Sequence, residues 1–540
     1  MAETRIFAAK KIITMERGQP EATHVAVRDG RILAVGGADC AAPWGDFTID
    51  DRLSDAVLMP GLVEGHAHMM AGAMWRYVYV GFHDRIDPDG KPWAGVSTTD
   101  AMVDRLAGER ARLAPGVPVF GWGFDPIFLA SERLNRIHLD QVATDRPVAV
   151  MFSNFHLMCV NSAALKMAGY TAETPLDGVV KGPDGEPTGE LQEMAAMFPV
   201  LRRMGIDFRT LSQSAESIAA YGQVAVRAGV TTITDLYSMM EDDDVEQMLR
   251  QTGAEDYPVR IVPALGAAGD PARVADRALR LRARSTDKLR LGAVKLMTDG
   301  SIQGWTARVR WPGYVGGQPN GLWNTAPDEI FALAEEMQRR GVQMHIHVNG
   351  DEAAEVSLDA LDAAARKHPW LGARHVLQHC QMMDRALFRR AAELGVACNL
   401  FANHLWYFGD QHAARTIGPD RACRMNAVRT ALDEGVLTAI HSDAPVTPLG
   451  PLVTAWCAVN RQAMSGVTLG PQERISRAQA LELITLGAAS TLKLDHEIGS
   501  IAPGKRADFA VLGADPLENG LALKDVPVFG TVFGGRVNRV

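Results

Sequence analysis

The chain has 540 residues, a length that suits one large domain with an appendage better than a single small domain. Hydrophobic residues make up 47% and charged residues 22% of it, which excludes disordered, fibrous and coiled-coil proteins. The 55 basic and 64 acidic residues give a net charge of −9 without any basic block, so we expect no nucleic-acid partner.

The distribution of apolar residues and cysteines bears on where the protein works. No stretch approaches the roughly 20 apolar residues of a membrane span, and the opening segment MAETRIFAAKKIITMERGQP lacks the apolar core of a signal peptide. The six cysteines are scattered without a C-x-x-C pair, which indicates reduced thiols. We therefore expect a cytoplasmic protein with no membrane partner.

Both ends of the chain have the alternating pattern of β-strands. Residues 25–36, VAVRDGRILAVG, predict two short strands around an Asp-Gly turn. The C-terminal segments ADFAVLGADP and VFGTVFGGRVNRV repeat this pattern. Because chain ends often lie close together, residues 1–58 and 490–540 are predicted to form one small β-sandwich domain.

The middle of the chain alternates between strand-like and helix-like segments. In residues 327–351, Ile330, Leu333 and Met337 share a helical face, and an alternating strand follows. Strands with helices between them predict an α/β fold, a (β/α)8 TIM-like barrel over residues 59–489. The eight predicted strands are 57–64, 229–236, 258–265, 291–298, 342–348, 374–379, 396–401 and 436–442.

Residues 70–215 lie between the first two predicted barrel strands and are far longer than an ordinary connection. They contain strand candidates of their own at 117–122 and 147–152, and a glycine-rich hairpin, GVVKGPDGEPTGEL. An insertion at the C-terminal end of a barrel is well placed to cover an active site, so we expect this segment to be a lid-like region.

The pattern His66-Ala67-His68 is the strongest chemical signal. In an extended strand, residues two apart face the same side, so both imidazoles converge on one point and form half of a first-row metal site. The alternative is a pair of solvent-facing polar residues at a strand end. The preceding apolar run, closed by Pro60-Gly61, favours the metal site.

Further candidate ligands stand at the ends of other predicted strands. These are His347, His379 and Asp443, each at the C-terminal face where barrel enzymes keep their active sites. Lys295 lies within the apolar strand LGAVKLMTDG, where a bare ammonium is costly to bury. Reaction with CO2 would convert it to an anionic ligand that can bridge two metal ions; the alternative is an ion pair with Asp299.

This ordered set of residues resembles the amidohydrolase superfamily, and within it the YtcJ-like group that includes N-substituted formamide deformylases. The resemblance covers nearly the whole chain and is carried by MPGLVEGHAH, FHLMCVNSAALKMAG, VKLMTDGSIQGWTA, HIHVNGDEA, HSDAPV and IGSIAPGKRADFAVL. It implies a homodimer with one or two divalent metal ions per chain. Zinc is the expected metal, with manganese, iron and cobalt as alternatives. The implied ligands are His66, His68, carboxylated Lys295, His347, His379 and Asp443.

The sequence departs from this group in two places. His347-Val348-Asn349-Gly350-Asp351 stands where relatives usually have His-Ala-Ile-Gly-Asp, which indicates an altered pocket beside the fifth strand. Phe155 precedes His156 where an acidic residue is common, so the residue that orients His156 is not evident from the sequence.

The resemblance and the residues together predict a metal-dependent hydrolase that cleaves a non-peptide C–N bond in an amide, N-formyl or N-acyl compound. Asp443 is the predicted general acid and base, and His156 is predicted to donate a hydrogen bond to the substrate carbonyl. Trp122, Trp305 and Trp406 are predicted to line a pocket for an apolar small molecule, the alternative being packing between lid and barrel.

Three other functions stay open at this point. The same site could serve a deaminase or a decarboxylase, although Gly350 stands where mononuclear deaminases of this superfamily have the glutamate of H-x-x-E. The protein could also be a non-catalytic scaffold that keeps the fold. A scaffold is expected to lack some of the metal ligands, and none of the predicted ligands is missing from this sequence.

Overall fold

The computed structural model of the protein describes residues 3–129 and 133–540. At its centre is a sheet of eight parallel strands in sequential order, and connecting helices cover its outer face. We number these barrel strands 1 to 8. They are Leu62–Glu64, Val230–Ser238, Arg260–Gly266, Ala293–Met297, Met344–Val348, Val376–His379, Ala397–Leu400 and Thr438–Ile440.

The first and last barrel strands meet just beyond their C-terminal ends. The Asp443 N–H donates to the His66 carbonyl (3.1 Å), and the His68 N–H donates to the Ala444 carbonyl (2.8 Å). Below them, the Ser442 hydroxyl donates to the buried carboxylate of Glu64 (2.7 Å). These bonds curl the sheet and confirm the predicted TIM-like fold.

One predicted strand boundary is wrong. Residues 57–60 end a long strand, Phe47–Pro60, that belongs to a different sheet, and barrel strand 1 begins at Leu62. Gly61 separates the two strands and passes so close to Thr231 that a Cβ at this position would overlap that side chain. The apolar run is continuous in the sequence, which is why it resembles a single strand.

Helices alternate with the barrel strands and bury apolar faces against them. Pro327–Arg340, for example, begins with proline, packs Ile330, Leu333 and Met337 inward and ends at Gly341 in a left-handed conformation (φ 67°). The helices from strand 1 to the end of the barrel region, outside the insertion, are Ala215–Arg227, Asp242–Gly253, Pro271–Arg282, Pro327–Arg340, Asp351–Lys367, Arg385–Glu393, His404–Gln411, Pro419–Ala422, Val428–Asp433, Pro451–Asn460, Arg477–Glu482 and Ala488–Thr491.

Strands from both ends of the chain join in one seven-stranded sheet, here the terminal sheet. The predicted hairpin forms at its edge, with positive φ at Asp29 (52°) and Gly30 (71°), as a tight two-residue turn requires. In spatial order its strands are Arg536–Arg539, Val528–Phe533, Phe509–Leu512, Phe47–Pro60, Thr4–Ile13, Glu21–Arg28 and Arg31–Gly36.

Residues 70–215, here called the insertion, lie between barrel strands 1 and 2 and have their own six-stranded sheet. In spatial order the strands are Val179–Lys181, Pro187–Gln192, Leu157–Val160, Val148–Phe152, Val119–Phe124 and Val78–Tyr79. A small separate hairpin pairs Arg85–Ile86 with Pro92–Trp93. The helices of the insertion are Met70–Ala73, Thr99–Arg110, Arg136–Asp140, Ser162–Ala168, Glu193–Arg203 and Phe208–Gln213.

Across the described parts of the chain, no helix combines the length and apolar character that crossing a membrane requires.

Candidate metal centre and substrate cavity

A cavity of about 470 Å³ lies at the C-terminal end of the barrel strands. Barrel strands and the loops that follow them form its floor, and the insertion forms much of its wall. Every predicted metal ligand lines it, together with the predicted substrate-binding His156: His66, His68, His156, Lys295, His347, His379 and Asp443.

Asp443 stands at the centre of the ligand cluster. Its Oδ1 lies 3.4 Å from His66 Nε2 and 3.2 Å from His68 Nε2. One donor atom from each of these three residues falls within 4.8 Å of the others, a spacing that suits a shared metal ion. Burial raises the pKa of Asp443, but the hydrogen bond and charge of His68 and the charges of His441 and Lys295 outweigh it and lower the pKa below its usual value. The carboxylate is therefore anionic at neutral pH.

The buried histidines also fit a metal centre. His379 is 2% exposed, and neither of its ring nitrogens has a hydrogen-bond partner within the described residues. Both ring nitrogens of His441 also have no hydrogen-bond partner within the described residues. The His441 ring stacks on that of His66, with 4.6 Å between the centroids. Burial lowers the pKa values of His66 and His379 well below the ordinary range, so both rings are neutral, the form that binds metal. One ring nitrogen each of His66, His379 and His441 lies within 4.8 Å of the others, so a metal ion could take one nitrogen from each ring.

Two of the predicted ligands lie on strained backbone. His379 and Asp443 have positive φ values of 72° and 54°, a region that residues with a side chain seldom occupy. Such conformations persist where the surroundings fix them, and they concentrate at functional sites. Here the turn re-aims each side chain at the end of its strand towards the cavity.

Lys295 points into the barrel as its position in the strand predicts. Val294 and Leu296 pack outward against the helices, whereas Lys295 is fully buried with its Nζ 3.4 Å from His66 Nε2. Burial lowers the pKa of Lys295 to about 7. A substantial fraction of the side chain is thus a neutral amine near pH 7, which is the form that reacts with CO2.

The alternative partner of Lys295, Asp299, is engaged elsewhere. Its carboxylate accepts backbone N–H groups of Arg308 (2.9 Å), Asn349 (3.1 Å) and Gly350 (2.9 Å). Asp299 therefore anchors the loop after barrel strand 5, the place where the sequence departs from the resembling group. In the same loop, Asn349 Nδ2 lies 3.1 Å from His347 Nε2, which leaves Nδ1 of His347 for a metal.

Sequence reasoning missed the residue that orients His66. Gln378 Oε1 lies 2.7 Å from His66 Nδ1, and Gln378 Nε2 lies 2.8 Å from His345 Nδ1. This contact fixes the His66 ring with Nε2 towards Asp443, the usual task of a residue behind a metal ligand. The available signal in the sequence was a glutamine directly before His379 in the apolar strand HVLQH. The structure shows that this glutamine is fully buried.

The three tryptophans predicted to line the cavity lie elsewhere, which corrects that prediction. Trp122 is buried in the insertion sheet against Trp75 and Tyr79. Trp305 belongs to an apolar cluster beside the barrel, and Trp406 packs edge-on against Trp456. Trp122 lies in a strand, Trp305 in a turn and Trp406 in a helix, and the neighbours of each along the chain gave no indication of its direction.

The apolar wall of the cavity comes mainly from one helix of the insertion, Glu193–Arg203, and the residues after it. We call this surface the apolar wall. Its members are Met194, Met197, Phe198, Leu201, Ile206 and Phe208. The wall faces the ligand cluster, so a bound molecule would meet polar groups on one side and methionine and phenylalanine on the other.

Arg85 ties the insertion to the loop that carries Asp443. This buried arginine donates to the carbonyls of Pro445 (2.7 Å) and Val446 (2.8 Å). Its guanidinium lies over the rings of Tyr79 and Trp122, at 5.7 and 5.8 Å from their centroids. Trp122 thus supports the site through Arg85, from outside the cavity.

A model of the amidohydrolase family matches residues 50–538. Three similar proteins match over most of both lengths. Protein LONG AFTER FAR-RED 3 of Arabidopsis thaliana is 27% identical over 97% of this chain and 90% of its own. The YtcJ protein of Bacillus subtilis is 28% identical over 94% and 93%. N-substituted formamide deformylase of Arthrobacter pascens is 27% identical over 95% and 94%.

Solved structures share the fold. An uncharacterized metal-dependent hydrolase from Pyrococcus horikoshii superimposes with a TM-score of 0.72 at 19% identity, covering 97% of this chain and 100% of its own. Atrazine chlorohydrolase TrzN from Arthrobacter aurescens, complexed with zinc, gives a TM-score of 0.55 at 16% identity, covering 99% and 94%.

Proposed function

Because this chain belongs to the amidohydrolase family and is a metal-dependent hydrolase, we propose that it cleaves a non-peptide C–N bond in an uncharged amide, N-formyl or N-acyl compound. The convergence of imidazoles, one anionic carboxylate and Lys295 on a single cavity supports this proposal. The similarity to an N-substituted formamide deformylase along nearly the whole chain favours the same bond type.

The residues that would hold one or two divalent ions are His66, His68, His347, His379 and Asp443, with Lys295 completing the set as an anion after its amine has reacted with CO2. We infer zinc, because a set of imidazoles with a carboxylate is typical of it. When bound, such an ion polarises a carbonyl group and lowers the pKa of a water molecule.

Asp443 is the general base and then the general acid of the proposed reaction. As the anionic carboxylate at the cavity floor, it accepts a proton from the attacking water and delivers it to the amine nitrogen as the C–N bond breaks. The products are a carboxylic acid and a free amine. His156, whose ring lies 5.3 Å from that of His347, donates a hydrogen bond to the oxygen of the substrate carbonyl as negative charge develops there.

The apolar wall indicates which substrates the cavity accepts. A charged group placed against Met197, Phe198 and Leu201 would lose its hydration without gaining a partner. An aryl or alkyl substituent would bury its surface there at roughly 25 cal/mol per Å². We therefore propose an amide with a bulky apolar substituent on the side that faces this wall.

An assay of hydrolysis tests the proposal. Para-nitroformanilide and para-nitroacetanilide release coloured nitroaniline, and an aryl acetate ester and a chlorotriazine serve as comparisons. Metal-dependent release of nitroaniline, faster than turnover of the chlorotriazine, is the expected result. Turnover of the chlorotriazine alone would contradict a C–N bond specificity. The homodimeric state and cytoplasmic location stay predictions, which light scattering and cell fractionation would check.

A further inference from the structure

His156 has an acidic partner that comes from a distant segment of the insertion. The position before it, Phe155, offers no carboxylate. Instead, His156 Nδ1 lies 2.8 Å from Oε2 of Glu193, which is 37 positions further along the chain. In return, the backbone N–H of Glu193 donates to the His156 carbonyl (2.7 Å). The two residues are therefore joined through both side chain and backbone.

The Glu193 side chain is itself held in place. Glu193 is 5% exposed, and Asn324 Nδ2 donates to the same Oε2 atom at 2.9 Å while also donating to the carbonyl of Asp299. The other carboxylate oxygen lies over Gly300, where a Cβ would overlap it. Glycine at position 300 thus makes room for the carboxylate.

The backbone around this pair is strained. Phe155 and Glu193 both have positive φ values, 57° and 63°, although neither is glycine. Such a conformation is unfavourable for a residue with a side chain and persists where surrounding contacts fix it. Both strained residues sit where the chain brings His156 and the Glu193 carboxylate together.

We propose that Glu193 is a positioning residue for catalysis: its carboxylate accepts a hydrogen bond from Nδ1–H of a doubly protonated His156, so that Nε2–H is the donor presented to the substrate carbonyl. This inference rests on the role of His156 in the proposed function. Nδ1 and Nε2 lie on opposite sides of an imidazole, so a carboxylate at Nδ1 fixes both the direction of the ring and the atom left for the substrate.

Glu193 also begins the helix that carries the apolar wall. Met197 and Phe198, which face the substrate cavity, follow within the next turn and a half. The helix that contacts the substrate and the carboxylate that holds His156 therefore belong to one rigid element. A substrate that displaces the helix would also displace His156.

A double-mutant cycle tests the proposal. Glu193→Ala should lower kcat on para-nitroformanilide by about 10- to 100-fold while leaving metal content unchanged, because an orienting contact is lost. Glu193→Gln, which keeps an acceptor oxygen, should restore part of this loss. In a His156→Ala background, Glu193→Ala should lower kcat by less than about threefold, because the side chain that Glu193 orients is already absent. Equal losses in both backgrounds would overturn the proposal.

Glu190→Gln is the matched control. Glu190 is also a buried carboxylate of the insertion (2% exposed), but it pairs with Arg133 (2.6 Å) and Gln192 (2.8 Å). It should keep wild-type kcat. A loss equal to that of Glu193→Gln would mean that removing any buried charge from the insertion disturbs the site, and would overturn a specific role for Glu193.

A spectroscopic measurement separates this inference from the proposed function. In protein labelled with ¹⁵N-histidine, a proton shared between Nδ1 and a carboxylate gives a downfield signal, assigned to His156 by its absence in His156→Ala. Glu193→Ala should abolish this signal and Glu190→Gln should keep it. If the wild type hydrolysed none of the amides, the proposed function would fail and this signal would still decide the Glu193–His156 contact; its persistence in Glu193→Ala would overturn that contact.

Discussion

The barrel rim and the insertion both border the cavity, but they provide different kinds of side chain. The rim provides Asp443 together with His66, His68 and His379, each of which has a ring nitrogen within 3.8 Å of an Asp443 carboxylate oxygen. The insertion provides the apolar wall and His156. Under the proposed function, the barrel would thus supply the metal ligands and the insertion the groups that contact the substrate.

This difference follows from how each region is built. Parallel strands bring their C-terminal ends to one edge, so residues far apart in the chain converge without help from loops. The insertion has its own sheet and its own apolar clusters, and it reaches the cavity through Met70, the His156 segment and the helices Glu193–Arg203 and Phe208–Gln213. Substitutions in the two regions should therefore have different consequences.

The largest effect is expected from Asp443→Asn in the barrel rim. Removal of the proton acceptor should lower kcat by about 1,000-fold or more, within the range of general acid–base catalysis. The thermal unfolding midpoint should stay close to that of the wild type, since Asn has the same shape. Activity retained in a folded variant, as judged by circular dichroism, would remove Asp443 from the mechanism.

Lys295→Met should affect metal binding more than the fold. If Lys295 holds metal as the proposed carboxylated anion, this substitution should lower the bound metal to about half of the wild-type content or less. Lys493→Met is the matched control, since Lys493 lies over the Trp370 ring (4.3 Å) away from the cavity. Unchanged metal content in the Lys295 variant, measured by elemental analysis, would exclude a bridging role.

The smallest effect is expected from Phe198→Ala in the apolar wall. It should lower kcat/KM about 10-fold for an aryl-substituted formamide and little for N-methylformamide, because lost apolar contact costs roughly 1–3 kcal/mol. Phe331→Ala is the control, because Phe331 is equally exposed (39% against 38%) but lies on the outer helix Pro327–Arg340. Equal losses for both substrates would show that Phe198 does not select between them.

The sequence predicted the barrel rim better than the insertion for a physical reason. Lys295 and His347 could be placed because both lie within barrel strands, where alternation along the strand fixes which side chains face inward. Glu193 and the apolar wall could not, because their positions depend on how the insertion packs on the barrel. Trp122 could not be placed for the same reason. It is buried behind Arg85 and does not line the cavity, and no pattern in the neighbouring residues indicates this.

The most direct test of the central claim is the metal content of the full-length protein, purified without chelator or added metal, set beside its hydrolytic activity. We predict about one to two equivalents of zinc or a similar divalent metal per chain, with activity lost on chelation and restored by the same metal. Amide hydrolysis by protein free of divalent metal, undiminished by chelator, would contradict the assignment of the His66–His68–Asp443 cluster as a catalytic metal centre.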